Sequence, residues 1–217
     1  MFGTHLSPND FVFLAQGAGI TLLITFLAML GGTVLGVIFG VFRANTPLWA
    51  NFWLGFLLDI FRSVPLLIQL ILANAFQAIA RLNANAFTVS CIVLALYCSA
   101  YCAELVRGGI GAVPVTTRRA ARSLGMTWGQ DMREIVFPLA LRIMLPSWIG
   151  LTLGVMKDTA LVSWLGIIEL LKSSQIIVTR IGDPLFVLTI AGLIYFIISF
   201  PIGRLGARLE KGWREND

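Results

Sequence analysis

FVFLAQGAGITLLITFLAMLGGTVLGVIFGVF, residues 11–42, is a long apolar stretch that indicates a lipid environment for this chain. The stretch has no Asp, Glu, Lys or Arg, and as a helix it exceeds the roughly 20 residues that a bilayer core requires. We place the first span at 17–42, because Gln16, Gly17 and Gly19 suit the membrane interface. Of the 217 residues, 58% are hydrophobic and 12% are charged. A soluble domain has about 25% charged residues, so most of the surface is predicted to face lipid.

Four more apolar segments follow the first one along the chain. The predicted fold class is an all-α integral membrane protein with a single domain, residues 1–217. Its five predicted transmembrane spans are 17–42, 52–80, 86–107, 138–165 and 184–206. The high hydrophobic fraction also excludes intrinsic disorder, which requires low hydrophobicity and high charge.

Small residues at four-residue spacing predict where the spans pack, because they let helix backbones approach closely in lipid. The first span has a long stripe and the fourth a short one: Gly32, Gly36 and Gly40, then Gly150 and Gly154. Pro65 and Pro146 are expected to break the second and fourth spans. Cys91, Cys98 and Cys102 share one helical face and are predicted to be small apolar packing residues, since their number is odd and no His is near.

The distribution of basic residues predicts the topology. An odd number of spans puts the two termini on opposite sides of the membrane, and basic residues concentrate on the cytoplasmic side. With the N-terminus outside, 11 of the 16 Lys and Arg residues fall inside, 3 fall outside and 2 lie within spans. We therefore predict an external N-terminus and a cytoplasmic C-terminus. The basic excess indicates no nucleic-acid partner, because no soluble domain is available to present a basic patch.

The segment 108–137 is too polar to insert and is predicted to form a cytoplasmic loop with one short surface helix. Pro114 ends the preceding structure, and Thr116 or Thr117 can cap the new helix. Gly125 is expected to end it. Its small apolar face comprises Ala120, Ala121, Leu124 and Trp128. Two interpretations stay open: a docking element for a partner, or an interfacial helix that rests on anionic lipid headgroups.

Residues 119–138 resemble the EAA loop of ABC-importer permeases, E-A-A-x(3)-G-x(9)-I-x-L-P. The sequence has Arg119 where the family usually has Glu, and Phe137 where Leu is usual. Three more stretches resemble permeases for polar amino acids, of the histidine, glutamine, arginine and opine type. They are FRSVPLL (61–67, family F-R-G-T-P-L-L), AYCAELVRGGI (100–110, A-Y-x-A-E-x-x-R-G-G-I) and KDTALVS (157–163, K-[ND]-[ST]-[SA]-L-V-S).

This resemblance implies the transmembrane subunit of an amino-acid importer with the type I ABC importer permease fold, in the bacterial inner membrane. It implies a second permease subunit, two cytoplasmic ATPase subunits that bind ATP and Mg, and an extracytoplasmic substrate-binding protein. This chain itself is expected to hold no cofactor, metal or catalytic residue.

The resemblance also implies which residues couple to the ATPase: Arg118, Arg119, Ala120, Ala121, Arg122, Leu124 and Gly125. The usual Glu of the motif is expected to pair with a basic residue on the ATPase. Arg119 cannot form that pair. Either the partner carries a compensating acid, or this subunit couples more weakly.

Charged residues within spans are costly and are therefore candidates for the substrate path. Asp59 and Arg62 could receive the ammonium and carboxylate of an amino acid, or they could bridge each other at i, i+3. Asp158 could contact a cationic side chain or cap a helix break, and Thr159 beside it offers a hydroxyl. Glu169 lies at the predicted outer end of the path, as a substrate contact, a gate or a structural acid.

Two other classes of membrane protein are alternatives to the importer. Intramembrane charges alone would also fit a stand-alone secondary transporter or channel, but five spans without an internal repeat argue against one. A membrane-embedded enzyme would need catalytic motifs, and the sequence has no HExxH, GxSxG or Walker A pattern. Glu104 and Arg107, three residues apart, are predicted to form a structural bridge.

Overall fold

Within residues 6–214, which the computed structural model describes, the chain forms nine α-helices and no strand. The helices are α1 (Pro8–Asn45), α2 (Leu48–Ser63), α3 (Leu66–Ile79), α4 (Ala86–Ala112), α5 (Val115–Ser123), α6 (Trp128–Gln130), α7 (Phe137–Asp158), α8 (Leu170–Ile181) and α9 (Pro184–Arg214). A π-helical segment, Asp131–Val136, joins α6 to α7, and a 3-10 segment, Thr159–Leu165, follows α7.

Four helical stretches are long and apolar enough to cross a membrane, and the bent pair α2–α3 makes a fifth candidate. These five stretches confirm the predicted fold class. Helix α1 begins at Pro8, before the predicted start of the first span at residue 17. Asp10 fixes this beginning, since its carboxylate accepts from Ser7 N–H at 2.7 Å and from Arg180 of α8 at 2.5 Å.

The glycine stripe of α1 packs directly on α4, as predicted. Three positions meet in register: Gly32 faces Cys98, Gly36 faces Cys102 and Gly40 faces Val106. A Cβ atom on any of these glycines would lie 2.5 to 2.6 Å from the Cβ atom it faces. The two helices run in the same direction. Their close approach confirms Cys98 and Cys102 as buried packing residues.

Of the two predictions for the interior of α7, the break at Pro146 is wrong, and the helix contact at Gly150 and Gly154 is not found within the described chain. Nothing lies within 4 Å of a Cβ built at Gly150 or Gly154, so this shorter stripe contacts no other helix of the described chain. Pro146 lies inside a continuous helix. A proline removes one backbone hydrogen bond, yet α7 continues through it, and Met144 before it and Ile149 after it in the sequence are each only 8% exposed.

Pro65 breaks the second span, as predicted, and α2 meets α3 at 106°. Pro65 is the N-cap of α3, where its missing N–H costs nothing. The carbonyls freed at the end of α2 find a partner in Gln69, whose Nε2 donates to the carbonyls of Phe61 and Val64 at 2.8 Å each. Side-chain hydrogen bonds therefore replace the lost helical ones.

The C-terminal ends of α1, α4 and α9 lie at one end of the bundle, together with α5. We call this the α5 end. α7 runs in the opposite direction, since Gly109 near the end of α4 faces Met144, and Gly206 of α9 faces Ile149. The basic residues that the sequence assigned to the cytoplasm lie at this end. Which compartment the α5 end faces stays a prediction.

Two helical segments lie where loops were predicted. α4 continues to Ala112 and helical structure resumes at Trp128, so helices occupy much of 108–137. α8 occupies most of the connection between the fourth and fifth spans. Start and stop signals for α8 were present in the sequence, with Glu169 before it and Gly182 after it.

Candidate functional site

A cluster of charged side chains joins α1, α2 and α4. Glu104 is its centre: one carboxylate oxygen accepts from Arg43 at 2.8 Å and lies 3.9 Å from Arg62, while the other accepts from Arg107 Nε at 2.9 Å. Arg62 also forms an ion pair with Asp59. We call these five residues the Glu104 cluster. Three guanidinium groups share two carboxylates, and the Glu104 carboxylate contacts an arginine from each of the three helices.

The Glu104 cluster contains two pairs that the sequence suggested. Asp59 and Arg62 bridge each other at i, i+3, which was the alternative to separate substrate contacts. The predicted Glu104–Arg107 bridge is confirmed. Sequence reasoning missed Arg43, because its contact with Glu104 joins residues 61 apart and no local spacing indicates it.

Asp158 and Thr159 lie where α7 changes into the 3-10 segment, and they differ in accessibility. Thr159 is fully buried, and its hydroxyl donates to the carbonyl of Met156 at 2.7 Å. Asp158 is half-buried. Within the described residues no hydrogen bond or ion pair involves its side chain. The Thr159 hydroxyl is therefore engaged within the fold, whereas the Asp158 carboxylate accepts no hydrogen bond from the part of the chain that the structure describes.

Glu169 is fully buried beside α1 and α9, as the N-cap of α8. Its carboxylate accepts from the N–H groups of Leu171 at 2.9 Å and Lys172 at 2.7 Å, and from the hydroxyls of Tyr195 at 3.2 Å and Thr21 at 3.5 Å. Burial raises the pKa of Glu169, and these hydrogen bonds offset part of the increase. Of the three roles left open for Glu169, its contacts match the structural acid.

We expect Glu169→Gln to destabilise the protein, because every neighbour of this carboxylate is a donor and an amide presents two more. The free energy of unfolding should fall by about 2 kcal/mol, as for a buried polar group left without its partner. Thermal unfolding in detergent measures the change. Tyr195→Phe, which removes one of four donors, should give a smaller decrease; equal losses would contradict this account.

The short helix α5 ends in a turn that requires glycine. Gly125 has φ +81°, its N–H bonds the carbonyl of Arg122 at 3.0 Å, and the N–H of Met126 bonds the carbonyl of Ala121 at 3.2 Å. This is a Schellman motif, in which the left-handed residue is usually glycine. The predicted threonine cap is wrong. Pro114 is the N-cap, because its fixed φ already directs the chain into the helix.

The coupling residues predicted on α5 divide between two faces. Ala121 is 2% exposed and packs inward, so its predicted place on the small outer face is wrong. Arg118 is also turned inward, where its Nε donates to Asp131 Oδ2 at 3.2 Å. The other predicted coupling residues are exposed: Arg119, Ala120, Arg122, Leu124 and Gly125. Among these, Arg119 and Ala120 of α5 and its C-cap residue Leu124 form what we call the outward face of α5, which is small and apolar around one cation.

Comparison with known proteins places the chain among transport subunits. Residues 32–215 match the family described as "Binding-protein-dependent transport system inner membrane component". The chain is 33% identical over 199 residues to the probable amino-acid ABC transporter permease protein YckA of Bacillus subtilis, covering 91% of this chain and 88% of YckA. It is 28% identical to the putative glutamine transport system permease protein GlnP of Rickettsia typhi, covering 92% of both chains.

A solved structure gives the same answer for the fold. The chain is similar to one in the crystal structure of an amino acid ABC transporter with histidines, with a TM-score of 0.85 and 29% identity over 95% of this chain and 99% of the other. The motifs at 61–67, 100–110, 119–138 and 157–163 all lie inside the residues that match the family. This chain therefore belongs to the family of inner membrane components of binding-protein-dependent transport systems, as a multi-pass ABC permease subunit.

Proposed function

We propose that the chain is the transmembrane subunit of an ATP-driven importer of polar amino acids, and that α5 docks on a cytoplasmic ATPase. One observation carries the docking: α5 presents an outward face with Leu124 84% exposed beside Ala120 and Arg119. Small residues allow close approach by a partner. A docked partner would also remove the exposed apolar side chain of Leu124 from water, which favours binding. ATP and Mg belong to the ATPase, and this chain contributes no catalytic group.

The sidedness of the proposal follows from the charge at the α5 end. Positive residues concentrate in cytoplasmic loops, and α5 itself carries three arginines with no acidic residue. We therefore orient the α5 end toward the cytoplasm and the N-terminus toward the outside. An ATPase reaches α5 only in this orientation.

Asp158 is the residue that we assign to the substrate path. The named relatives serve amino acids, glutamine among them, and the similar solved structure contains histidines. A half-buried carboxylate inside a membrane-spanning segment marks a path for polar or charged solutes. Thr159 and Glu169 have their polar groups committed to the fold, so they leave Asp158 as the strongest candidate.

The test is purification of the chain with its ATPase, a second permease subunit and a substrate-binding protein, followed by reconstitution in vesicles. We expect a panel of L-glutamine, L-histidine and L-arginine with the binding protein to stimulate ATP hydrolysis and uptake. Two differently tagged copies in one complex would identify a homodimer. A chain that transports amino acids without any ATPase would refute the proposal.

Gly125 gives a sharper test of docking. We expect Gly125→Asp to abolish substrate-stimulated ATP hydrolysis while the permease stays inserted, because the acid adds a side chain and a charge at the end of the docking helix. Nothing lies within 4 Å of a Cβ at this position, so the effect does not come from contacts inside the chain. Stimulated hydrolysis by the reconstituted complex is the measurement.

Gly125→Asn is the matched control for backbone strain. Asparagine tolerates the left-handed conformation better than most residues, and it has the size of aspartate without its charge. We expect the asparagine variant to retain more stimulated hydrolysis than the aspartate variant. Full activity in both variants would rule out a docking role for this end of α5.

A further inference from the structure

The connection between α5 and the membrane-spanning helix α7 contains a buried ion pair. Asp131 begins the π-helical segment that leads into α7, and its side chain is fully buried. Arg118 reaches it from α5, with 23% of its side chain exposed and its Nε 3.2 Å from Asp131 Oδ2. The chain thus places a full negative charge inside the joint between a surface helix and a spanning helix.

This ion pair is the main polar attachment of α5. Within residues 6–214 it is the one side-chain hydrogen bond that links α5 to another element. The π-helical segment is also the element against which α5 chiefly packs. Across this contact the inward face of α5 offers only Ala121 as a buried apolar residue. Without the ion pair, the contact of α5 with the π-helical segment would rest on one small buried side chain, while the chain connections at both ends of α5 would remain.

The cost of the pair indicates that it does more than stabilise the fold. Asp131 Oδ1 is buried and has no hydrogen-bond partner. A buried ion pair with an unsatisfied oxygen adds little stability, and apolar residues of similar size often do better. A π-helical turn inside a helix frequently marks a functional site. Here it is the segment that both packs on α5 and leads directly into α7.

We propose that Arg118 and Asp131 are positioning residues that make α5 and α7 move as one body when the ATPase displaces α5. This inference rests on the proposed docking of α5. A neutral residue at either position leaves the other charge unpaired and lets α5 move independently of α7. ATP hydrolysis then continues without the full movement of the spanning helix. The result is hydrolysis with less transport.

The experiment compares Arg118→Gln, Asp131→Asn and the double variant in the reconstituted complex with its ATPase and binding protein. The first readout is amino acid transported per ATP hydrolysed. We expect each single variant to lower this ratio about tenfold, within the usual range for coupling between sites. The double variant should lose no more than either single variant, because all three break the same pair.

Two further measurements separate this proposal from its alternatives. Ser123→Cys, at an exposed position near the end of α5, reports docking through cross-linking to the ATPase. We expect the cross-link in the parent and in every variant; its absence from the parent would refute the docking itself. Arg118→Lys keeps the charge and should give an intermediate ratio.

The control is Arg133→Gln, in the same π-helical segment. Arg133 is 86% exposed, and its one ion pair with a described residue is with the neighbouring Glu134, so we expect the parent ratio. A transport-to-ATP ratio that is unchanged in Arg118→Gln and Asp131→Asn would overturn the proposal. A lower melting temperature with an unchanged ratio would assign the pair a structural role alone, and would overturn it equally.

Discussion

Gly36→Leu is expected to abolish the folded protein, because α1 and α4 touch at this position. A Cβ atom there would lie 2.5 Å from Cys102 Cβ and 3.0 Å from the carbonyl oxygen of Ser99. A backbone carbonyl cannot move aside as the end of a flexible side chain can. Overpacking of a tight core costs about 1–3 kcal/mol and can cost more. We expect the cost for Gly36→Leu to lie at the upper end of this range or above it. The measurement is the loss of the monodisperse, folded species in detergent.

Gly19→Leu is the matched control in the same helix. Nothing lies within 4 Å of a Cβ at Gly19, and leucine favours helix more than glycine by roughly 0.8 kcal/mol. This variant should therefore fold as well as the parent.

Cys102→Gly should partly rescue Gly36→Ala, since it removes the Cβ atom of Cys102 with which the new methyl group would collide. Folding of Gly36→Leu at parent yield would show that the two helices do not pack as described.

The second large effect is expected from Glu104→Gln. Removing this charge leaves three arginines close together, with Asp59 as the one acid remaining in the Glu104 cluster. Breaking a buried ion pair by removing one partner costs about 3–5 kcal/mol. The Glu104 side chain is 27% exposed, so we expect a loss at the lower end of that range. Thermal unfolding in detergent measures this loss of stability. Added salt should reduce the loss, because salt screens the repulsion between the arginines.

Glu134→Gln controls for the loss of a surface charge. Glu134 is 60% exposed and lies 3.4 Å from Arg133, and such exposed pairs contribute about 0–1 kcal/mol. Adding Arg43→Gln to Glu104→Gln should recover part of the lost stability, because it removes one of the crowded positive charges. Equal losses from Glu104→Gln and Glu134→Gln would mean that the cluster does not hold the helices together.

The sequence predicted best where local rules apply. The break at Pro65, the end of α5 at Gly125 and the Glu104–Arg107 bridge each depend on neighbours within four residues. The four motifs, in register along the chain, predicted the family. Prediction failed where several weak local signals compete with packing. Pro146 tends to break a helix, yet α7 continues through it. The start and stop signals of α8 lie in a short connection for which we predicted no helix.

The candidate sites were harder to predict than the fold. Sequence identified the outward residues of α5, yet it could not tell that Ala121 and Arg118 turn inward, because no local spacing indicates that α5 packs on the segment Asp131–Val136. The same limit applied to Arg43 in the Glu104 cluster. Asp158 and Thr159 are adjacent in sequence but differ in exposure, since the change from α-helix to 3-10 helix directs one inward and leaves the other accessible.

The sequence alone determined that this is an integral membrane protein, how many apolar segments it has and to which transport family it belongs. Those properties follow from hydrophobicity summed over about 20 residues and from short motifs, neither of which needs a partner. Only the tertiary structure decided which charges meet. Ion pairs such as Arg43–Glu104 and Arg118–Asp131 join distant or separately oriented helices. Their energy depends on distance and burial, which exist only after the helices have packed.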